Sequence, residues 1–578
     1  MSNMRLPKLG IPPAEKSNLA RLFQGGALPQ AQKVASRLTA QYPLDGFSSN
    51  ISGLISQASG DFFAARDHFA EALKRTPGSV DYAANLGYIL SDIGDSNQAV
   101  SLLTPFVRKF PKHINARTNL IRAIFETQHV ADALPHVAKL KQLTGNTAET
   151  LRIQGTALTF TKDFENALPI LIKSRELAPK EFKDYRYIAT CMDALEGPTK
   201  TISYLQLLIK DPLTGPGAHV ALANHFALIG DFPNAIIHFE EALKQAPDQG
   251  KIYVGLGRLR KWTADDPHLK SLEQLATRPD IHEGPKGDAL FALGKAYRDL
   301  GRTKDSFEAI LKANAAHRKL TQFDGAHMKK AFLALPSVVF GAKPQPLLPT
   351  LTPVFIISLP RNGSTLVEHI LSRHPDIATM GEDSTVYNAA NQTMSTGNLK
   401  KLSRVALSHY QRAANGKPVV TDKFLNNYMC LSALAEALPN AKFIDVHKEP
   451  AASGYSLLTS PLSAVGHPFA FSQEDIADYI AAQRKLMQAW KVKYPNRIID
   501  LSYEALVSQP DQKIPELLKQ LDLSNCDDCL SPEESTRQVD TFSLVQVRQK
   551  ITTAYQSRWK AHEEQLQPML TRLAAHGL

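Results

Sequence analysis

The sequence predicts two kinds of structure in one chain: an α-helical solenoid of paired antiparallel helices, followed by an α/β domain with a parallel sheet. The first observation is a period of 34 residues in the positions of small residues and prolines throughout the first half. The second is an apolar, β-branched run that leads through a short glycine-containing loop into a helical pattern. At 578 residues the chain is also too long for a single hydrophobic core.

Composition and charge narrow the class of protein. Hydrophobic residues make up 43% of the chain and charged residues 21%, as in ordinary soluble globular proteins. The sequence has no apolar run of signal-peptide or membrane-span length, so we expect a cytoplasmic protein without a transmembrane segment. The four cysteines are too few for a disulfide scaffold. The net charge of +10 is compatible with an anionic ligand, but it does not choose between nucleic acid, membrane and a phosphorylated small molecule.

The period of 34 residues is visible in several residue types that share one phase. Prolines recur at Pro43, Pro77, Pro111, Pro179 and Pro247, and alanines recur at Ala31, Ala65, Ala99, Ala133, Ala167 and Ala235, with Thr201 at the missing step. Glycines at positions 53, 87 and 155 have the same spacing. An alanine or glycine lets two antiparallel helices approach closely, and a proline ends the second helix before the next pair begins.

This pattern resembles the tetratricopeptide repeat (TPR) family, whose period is 34 residues. About seven repeats cover residues 12–249, and a further helical pair follows at 289–314, so the helical domain is predicted to span 12–335. The resemblance implies a concave surface that binds a peptide or protein partner. A spacer or dimerisation element without a ligand is the alternative. A proline-rich stretch then predicts a linker over 336–353.

The second domain is predicted over 354–578, and an anion-binding loop follows its first strand. The run "VFIISL" (354–359) is typical of a buried parallel strand, and a helical pattern starts directly after the segment 360–366, which we call the anion loop. A strand, a short loop and a helix in this order present backbone N–H groups and a helix N-terminus to an anion. Arg361 adds charge and Gly363 lets the loop turn. A nucleoside-triphosphate site is not supported, because the loop lacks the lysine of the G-x-x-x-x-G-K-[ST] motif.

The sequence "PRNGSTL", followed by His374-Pro375, resembles the 5′-phosphosulfate-binding segment of sulfotransferases, with Asn362 and Ser364 as departures. The resemblance implies a P-loop-like α/β fold and a donor site built from the loop residues Arg361, Asn362, Gly363, Ser364, Thr365 and Leu366. The donor would be 3′-phosphoadenosine 5′-phosphosulfate (PAPS), used without a metal. The spacing Cys526-Asp-Asp-Cys529 is half of a zinc site at most, and we expect ordinary loop cysteines there.

Four further segments follow in the order typical of these enzymes. The segment 419–428 supplies Lys423 beside the transferred group, and 438–458 supplies the 3′-phosphate residues Lys448 and Ser456. Tyr503 lies in 497–507, and Arg558 ends the C-terminal loop 541–560. The layout resembles bacterial proteins that join tetratricopeptide repeats to a sulfotransferase domain, and that domain is also similar to tyrosylprotein sulfotransferases.

The resemblance assigns roles to a few residues. Lys423 and Arg361 would stabilise charge on the transferred sulfuryl group, as in phosphoryl transfer. The base would be Glu382 or Asp383, and the pattern favours Glu382 only slightly because of its longer reach. The acceptor would be a hydroxyl on a protein, glycan or lipid-linked compound and not a nucleic acid. An acidic tyrosine peptide is not expected, because "STVYNAANQ" (384–392) lacks the arginines that would receive it.

Two departures leave an alternative open. Lys448 replaces the usual arginine of the 3′-phosphate segment, and Ser460 stands where tyrosylprotein sulfotransferases have another basic residue. His447 could supply part of the missing charge, or act as the base if neither carboxylate does. The alternative is a TPR scaffold protein whose transferase domain is degenerate and only binds nucleotide.

Overall fold

The structure is a computed structural model, and it divides into two compact units, Met1–Thr201 and Ile202–Leu578. It describes residues 10–93, 95–127, 130–179, 185–210, 214–279, 281–321, 323–340, 351–464, 466–535 and 545–578. Residues 341–350 of the predicted linker and 541–544 of the predicted C-terminal loop lie outside this set. The linker and the domain limits given above therefore stay predictions.

The first unit consists of paired helices, as predicted. They are α1 (Pro13–Gln24), α2 (Leu28–Gln41), α3 (Phe47–Ala58), α4 (Phe62–Arg75), α5 (Val80–Asp92), α6 (Ser96–Lys109), α7 (Ile114–Phe125), α8 (Ala133–Thr144), α9 (Ala148–Phe160), α10 (Phe164–Leu177) and α11 (Tyr185–Glu196). Helix α12 (Pro198–Leu208) runs across the division between the units.

The small residues of the repeat lie where the helices of a pair touch, which confirms the reason given for their spacing. A Cβ atom added to Gly53 would lie 2.5 Å from the ring of Phe69, and one added to Gly87 would lie 2.5 Å from Leu103. The alanines and Thr201 in this register are fully buried. Each of the five prolines comes two residues after the end of a helix, for example Pro77 after α4. The small residues at close helix contacts and the prolines after helix ends therefore recur with the same 34-residue period.

The second unit begins with more paired helices of the same kind. They are α13 (Gly215–Ile229), α14 (Phe232–Gln245), α15 (Gly250–Leu259), α16 (Leu269–Thr277), α17 (Glu283–Asp299), α18 (Thr303–Arg318) and α19 (Gly325–Ala334). The predicted pair at 289–314 corresponds to α17 and α18, and a Cβ atom on Gly294 would lie 2.7 Å from Ile310.

A five-stranded parallel sheet follows in the same unit, with strand order β2-β3-β1-β4-β5. The strands are β1 (Thr352–Ile357), β2 (Ile377–Thr379), β3 (Val419–Asp422), β4 (Lys442–His447) and β5 (Ile498–Ser502). The helices around it are α20 (Ser364–Leu371), α21 (Thr385–Thr396), α22 (Leu399–Ala414), α23 (Leu431–Ala437), α24 (Pro450–Leu458), α25 (Gln473–Lys493), α26 (Tyr503–Ser508), α27 (Pro510–Gln520) and α28 (Gln567–Ala575).

The strand register brings the carboxyl ends of the strands to one edge. Phe355 of β1 lies opposite Asp422 of β3, and His447 of β4 lies opposite Ser502 of β5. The predicted strand 354–359 is observed two residues earlier, at 352–357, because the chain leaves the sheet before Pro360. Ligands of open parallel sheets bind at this carboxyl edge.

The last repeat helices and the sheet domain share a hydrophobic core. Phe307, Met328 and Phe332 belong to the same buried cluster as the residues around β1 and α25. The ring of Phe332 meets that of Tyr479 edge to face at 5.4 Å. Helices α18 and α19 are therefore part of the folding unit of the sheet domain.

Among the described residues, no helix combines the length and the apolar character that crossing a bilayer requires.

Candidate functional site

The anion loop connects β1 to α20 and turns through two residues with positive φ. Gly363 has φ +101° and precedes the first residue of α20, and Arg361 has φ +69°. A Cβ atom on Gly363 would lie 2.4 Å from the ring of Tyr503, so no other residue fits there. Asn362 accepts a hydrogen bond from Ser453 of α24 (2.8 Å). The Tyr503 ring and helix α24 thus both contact the loop and hold its position.

Two cations lie at this loop: the half-buried Arg361 is part of it, and the buried Lys448 lies beside it. The Arg361 guanidinium donates to Gln546 Oε1 (3.2 Å), and Lys448 Nζ donates to the Arg361 carbonyl (3.1 Å) and lies 4.3 Å from the centre of the Tyr503 ring. Burial and the neighbouring Arg361 lower the pKa of Lys448 to about 8. Burial and the neighbouring Arg258 lower the pKa of Arg361 to about 10. An anion bound among these groups would reverse both shifts, because it favours the charged forms.

A buried lysine and a carboxylate form an ion pair on the other side of the loop. Lys423 follows β3 directly and is 1% exposed, and its Nζ lies 2.6 Å from Glu382 Oε1. Glu382 follows β2, and its side chain is 45% exposed. The pair therefore joins a buried positive charge to a carboxylate that solvent and an acceptor can reach.

Asp383, the neighbour of Glu382, has different hydrogen-bond partners. It is buried, and one carboxylate oxygen accepts from the Thr385 N–H at the start of α21 (2.8 Å). The other oxygen lies 3.0 Å from His409 Nε2 on α22. Both oxygens thus hold the turn between β2 and α21. Adjacent side chains point in different directions, so only one of the two acids faces Lys423.

Two acids that the sequence did not single out position this pair. Asp422, the residue before Lys423, accepts hydrogen bonds from the Tyr410 hydroxyl (2.7 Å), the Phe424 N–H and the Asn427 amide. Burial raises the pKa of Asp422 to about 6. Glu368 of α20 accepts from the Gly381 N–H (2.9 Å) and so fixes the turn before Glu382. An acidic residue at the end of a buried strand, as in "VVTDK", is the signal that could have indicated Asp422.

The remaining predicted residues lie on the far side of β1 from this pair. Ser456 and Ser460 each donate to a backbone carbonyl four residues earlier, at Ala452 and Ser456. His447 ends β4 and contacts Asp500 of β5 (3.2 Å), two strands away from β3. It therefore lies on the opposite side of β1 from Lys423.

Four more predicted residues lie on the loop or on the C-terminal segment. Ser364 is buried at the first turn of α20, whereas Thr365 and Leu366 are half-buried. Arg558 is exposed, and its guanidinium lies 4.2 Å from the centre of the Tyr555 ring. These residues stand on the loop and on the C-terminal segment that passes near it.

The strand order explains how these residues come together. The anion loop follows the central strand β1, Glu382 and Lys423 follow β2 and β3 on one side, and Lys448 and Tyr503 follow β4 and β5 on the other. The cations, the helix N-terminus of α20 and the lowered pKa values of Arg361 and Lys448 fit a ligand with several negative charges. Among the described residues, no group of three or more His, Cys, Asp or Glu side chains is arranged to hold a metal ion.

The C-terminal region is similar to proteins of a known family. Residues 353–401 and 389–528 match the model of the family described as the Sulfotransferase family, so the C-terminal region contains a domain of that family. An uncharacterized protein of Aquifex aeolicus is 25% identical over 341 residues, which are 54% of this chain and 44% of that protein. A putative protein-tyrosine sulfotransferase of Caenorhabditis briggsae is 25% identical over 224 residues, 36% of this chain and 80% of that protein. The chain thus spans less than half the length of the Aquifex relative.

Solved structures resemble the two parts of the chain separately. The sulfotransferase domain of the Synechococcus PCC 7002 olefin synthase aligns with 38% of this chain and 92% of its own length, at 18% identity and a TM-score of 0.29. A tetratricopeptide repeat protein from Parabacteroides merdae aligns with 42% of this chain and 96% of its own length, at 12% identity and a TM-score of 0.37. These similarities concern the fold and not the activity.

Proposed function

We propose that this protein transfers a sulfuryl group from PAPS to a hydroxyl group of an acceptor. The observation that carries the proposal is the Lys423–Glu382 ion pair of 2.6 Å, which lies at the carboxyl edge of the sheet next to the strand that bears the anion loop. Transfer to a hydroxyl requires a cation that stabilises developing negative charge and a carboxylate that accepts the hydroxyl proton. The buried Lys423 and the exposed Glu382 lie side by side and can supply both.

The residues that would hold PAPS are those of the loop and of its far side. The backbone of 361–366 and the hydroxyls of Ser364 and Thr365 would bind the 5′-phosphosulfate together with Arg361. Lys448 and Arg558 would bind the 3′-phosphate, with Ser456 beside them. When bound, PAPS supplies an activated sulfuryl group on its 5′-phosphate.

The roles of the two acids follow from their contacts. Glu382 has one carboxylate oxygen on Lys423 and a side chain open to solvent, so we propose that its other oxygen accepts the proton of the acceptor hydroxyl. Asp383 binds the start of α21 and His409 with its two oxygens, so we propose that it positions the loop. Lys423 binds one oxygen of Glu382 and, being almost fully buried, would interact strongly with negative charge on the transferred group.

The tetratricopeptide repeats would recruit the acceptor or a partner on their concave surface. A protein hydroxyl is one candidate acceptor, since the Caenorhabditis briggsae relative is named a putative protein-tyrosine sulfotransferase. Helix α21, which begins two residues after Asp383, offers no arginine to an acidic peptide. We therefore propose an acceptor that is not an acidic tyrosine peptide.

The test has a binding step and a transfer step. Calorimetry with 3′-phosphoadenosine 5′-phosphate should show binding to the intact protein, and PAPS with radiolabelled sulfate should label an acceptor in a fractionated cell lysate. A matched reaction with Lys423→Met keeps the length of the side chain and removes its charge, and it should label little. Absence of nucleotide binding by the intact protein would rule the proposal out.

One observation favours the alternative, a scaffold protein with a degenerate transferase domain. Lys448 Nζ donates to the carbonyl of Arg361, and the Ser460 hydroxyl donates to the carbonyl of Ser456, so each already has a partner other than a phosphate. Nucleotide binding without any labelled acceptor, in wild type and Lys423→Met alike, would support this alternative.

If the protein is an enzyme, Lys448→Arg should bind the nucleotide at least as well as wild type does, because a guanidinium fork matches phosphate.

A further inference from the structure

A single turn of the C-terminal segment packs against the repeat helices. The turn runs from Gln546 to Arg548, and its middle residue, Val547, is buried together with Ala227 of α13 and Ala235 of α14. The turn also lies beside α20, the helix into which the anion loop leads. It is therefore close to the repeat helices and to the anion loop at the same time.

Arg548 binds the carboxyl end of α13. Its guanidinium donates to the carbonyl of Leu228 (2.8 Å), one of the last residues of that helix, and lies 5.7 Å from the centre of the Phe232 ring. A Cβ atom on Gly230 would lie 3.4 Å from Arg548 Nε, so the side chain passes directly over the turn between α13 and α14. The last carbonyls of a helix have no partner within it, and an arginine suits them both as a donor and as a cation. Arg548 and Val547 thus anchor the turn on the repeats.

Gln546, the first residue of the turn, contacts the anion loop. Its amide oxygen accepts a hydrogen bond from the Arg361 guanidinium (3.2 Å). An amide oxygen orients the guanidinium and leaves its positive charge in place, whereas a carboxylate would offset that charge. A guanidinium has five N–H groups, so a hydrogen bond to Gln546 is compatible with binding an anion. One residue therefore separates the contact with the loop arginine from the contact with α13.

We infer that Gln546 is a positioning residue for Arg361 in the donor site, and that the repeat helices α13 and α14 hold it there through Val547 and Arg548. The inference rests on the proposed function, in which Arg361 binds the 5′-phosphosulfate of PAPS. An arginine side chain has many rotamers, and a fixed acceptor reduces the entropy that is lost when it binds the donor. The repeats thereby contribute to donor affinity, separately from any contribution to binding the acceptor.

The experiment compares two nucleotides that differ only in the 5′-phosphate. Calorimetry on the full-length chain measures the affinities for 3′-phosphoadenosine 5′-phosphate and for adenosine 3′-phosphate. Gln546→Leu removes the acceptor for Arg361, so it should weaken binding of the first nucleotide about five- to thirtyfold and of the second less than about twofold. Gln512→Leu is the matched control, because Gln512 is exposed on α27 and its amide contacts Glu516 (3.0 Å). It should change neither affinity by more than about twofold.

Gln546→Glu is a second test, and it keeps the size of the side chain. Its carboxylate would pair with the Arg361 guanidinium and compete with the 5′ group of the donor. It should therefore weaken binding of 3′-phosphoadenosine 5′-phosphate at least as much as Gln546→Leu does, while the unfolding midpoint stays at the wild-type value or above. A residue that only supported the fold would tolerate this change without loss of affinity.

Variants of Arg548 test the anchor on the repeats. Arg548→Ala removes the donor to the Leu228 carbonyl, so it should weaken binding of 3′-phosphoadenosine 5′-phosphate about three- to tenfold and leave binding of adenosine 3′-phosphate unchanged. Arg548→Lys keeps a cationic donor and should lose less affinity than Arg548→Ala. In the Gln546→Leu background, Arg548→Ala should add less than about a twofold loss, because both changes act through the same contact with Arg361.

The outcomes separate the inference from the proposed function. Equal losses for both nucleotides in the two Gln546 variants, or no loss for either nucleotide, overturn the inference and leave the proposed function intact. Wild-type affinity in Arg548→Ala, or fully additive losses in the double variant, overturn the contribution of the repeats. Failure of the wild-type protein to bind 3′-phosphoadenosine 5′-phosphate instead overturns the proposed function and the inference with it.

Discussion

Replacing Glu382 by glutamine tests the role of the carboxylate that faces Lys423. The amide keeps the shape of the side chain and one oxygen for Lys423 Nζ, now 2.6 Å from Glu382 Oε1, but it cannot accept a proton. If Glu382 is the base, sulfuryl transfer should slow by about a hundredfold to ten-thousandfold. Affinity for 3′-phosphoadenosine 5′-phosphate should change less than about threefold, because the residues proposed to bind the nucleotide lie on the loop after β1 and on the far side of that strand.

The structural cost of this substitution should be small. The Glu382 side chain is 45% exposed, so solvent screens its ion pair with Lys423 and the loss of that pair should cost about 1 kcal/mol or less. The unfolding midpoint should then fall by about 2 °C at most. A large loss of activity with almost unchanged stability and nucleotide affinity is the expected signature.

Asp383→Asn is the matched control, since it removes the same charge one residue later. Asp383 is buried, with one oxygen on the Thr385 N–H and the other on His409 Nε2. The amide can satisfy only one of these contacts as an acceptor, so we expect a loss of about 1–3 kcal/mol of stability. The unfolding midpoint should fall by about 2–6 °C, with transfer reduced far less than in Glu382→Gln.

The assay is the initial rate of radiolabelled sulfate transfer to the labelled lysate fraction, together with calorimetry and thermal unfolding of the same preparations. Glu382 is not the base if Glu382→Gln keeps near-normal transfer, or if Asp383→Asn slows transfer more than Glu382→Gln at equal nucleotide occupancy. The second result would make Asp383, with His409 behind it, the proton acceptor.

Three further predictions concern the donor site and the folding unit. The pKa of Lys448 is lowered from 10.5 to about 8, so the side chain is mostly neutral above pH 8. Between pH 8 and 10.5, nucleotide binding should therefore weaken as the pH rises and should take up about one proton, which calorimetry in buffers of different ionisation enthalpy measures. Lys448→Arg should remove this pH dependence. Gly363→Ala should abolish nucleotide binding, because its Cβ would lie 2.4 Å from Tyr503, whereas Gly397→Ala, at φ +70° with nothing within 4 Å, should cost only about 1–2 kcal/mol of stability and no affinity. Residues 202–578 should fold and bind nucleotide by themselves, but residues 336–578 should not unfold cooperatively by circular dichroism, since they lack Phe307, Met328 and Phe332 of the shared core.

Local spacing determined much of this protein. The 34-residue period predicts paired helices because a small residue and a proline act on the helix they belong to, and Gly53 and Pro77 do so in the structure. The order of the C-terminal segments predicts a site because four of the five contain a strand of the parallel sheet, and parallel strands end at one edge. Arg361 could be named from the anion loop itself, whereas Lys423 and Lys448 were named from the resemblance of their segments to those of sulfotransferases.

Tertiary structure decided what local spacing could not. Glu382 and Asp383 are adjacent and chemically alike, so their separate roles depend on Lys423 and His409, which come from other strands and helices. Packing determines the direction of a side chain and its neighbours from distant parts of the sequence, whereas a period or a motif predicts only local structure.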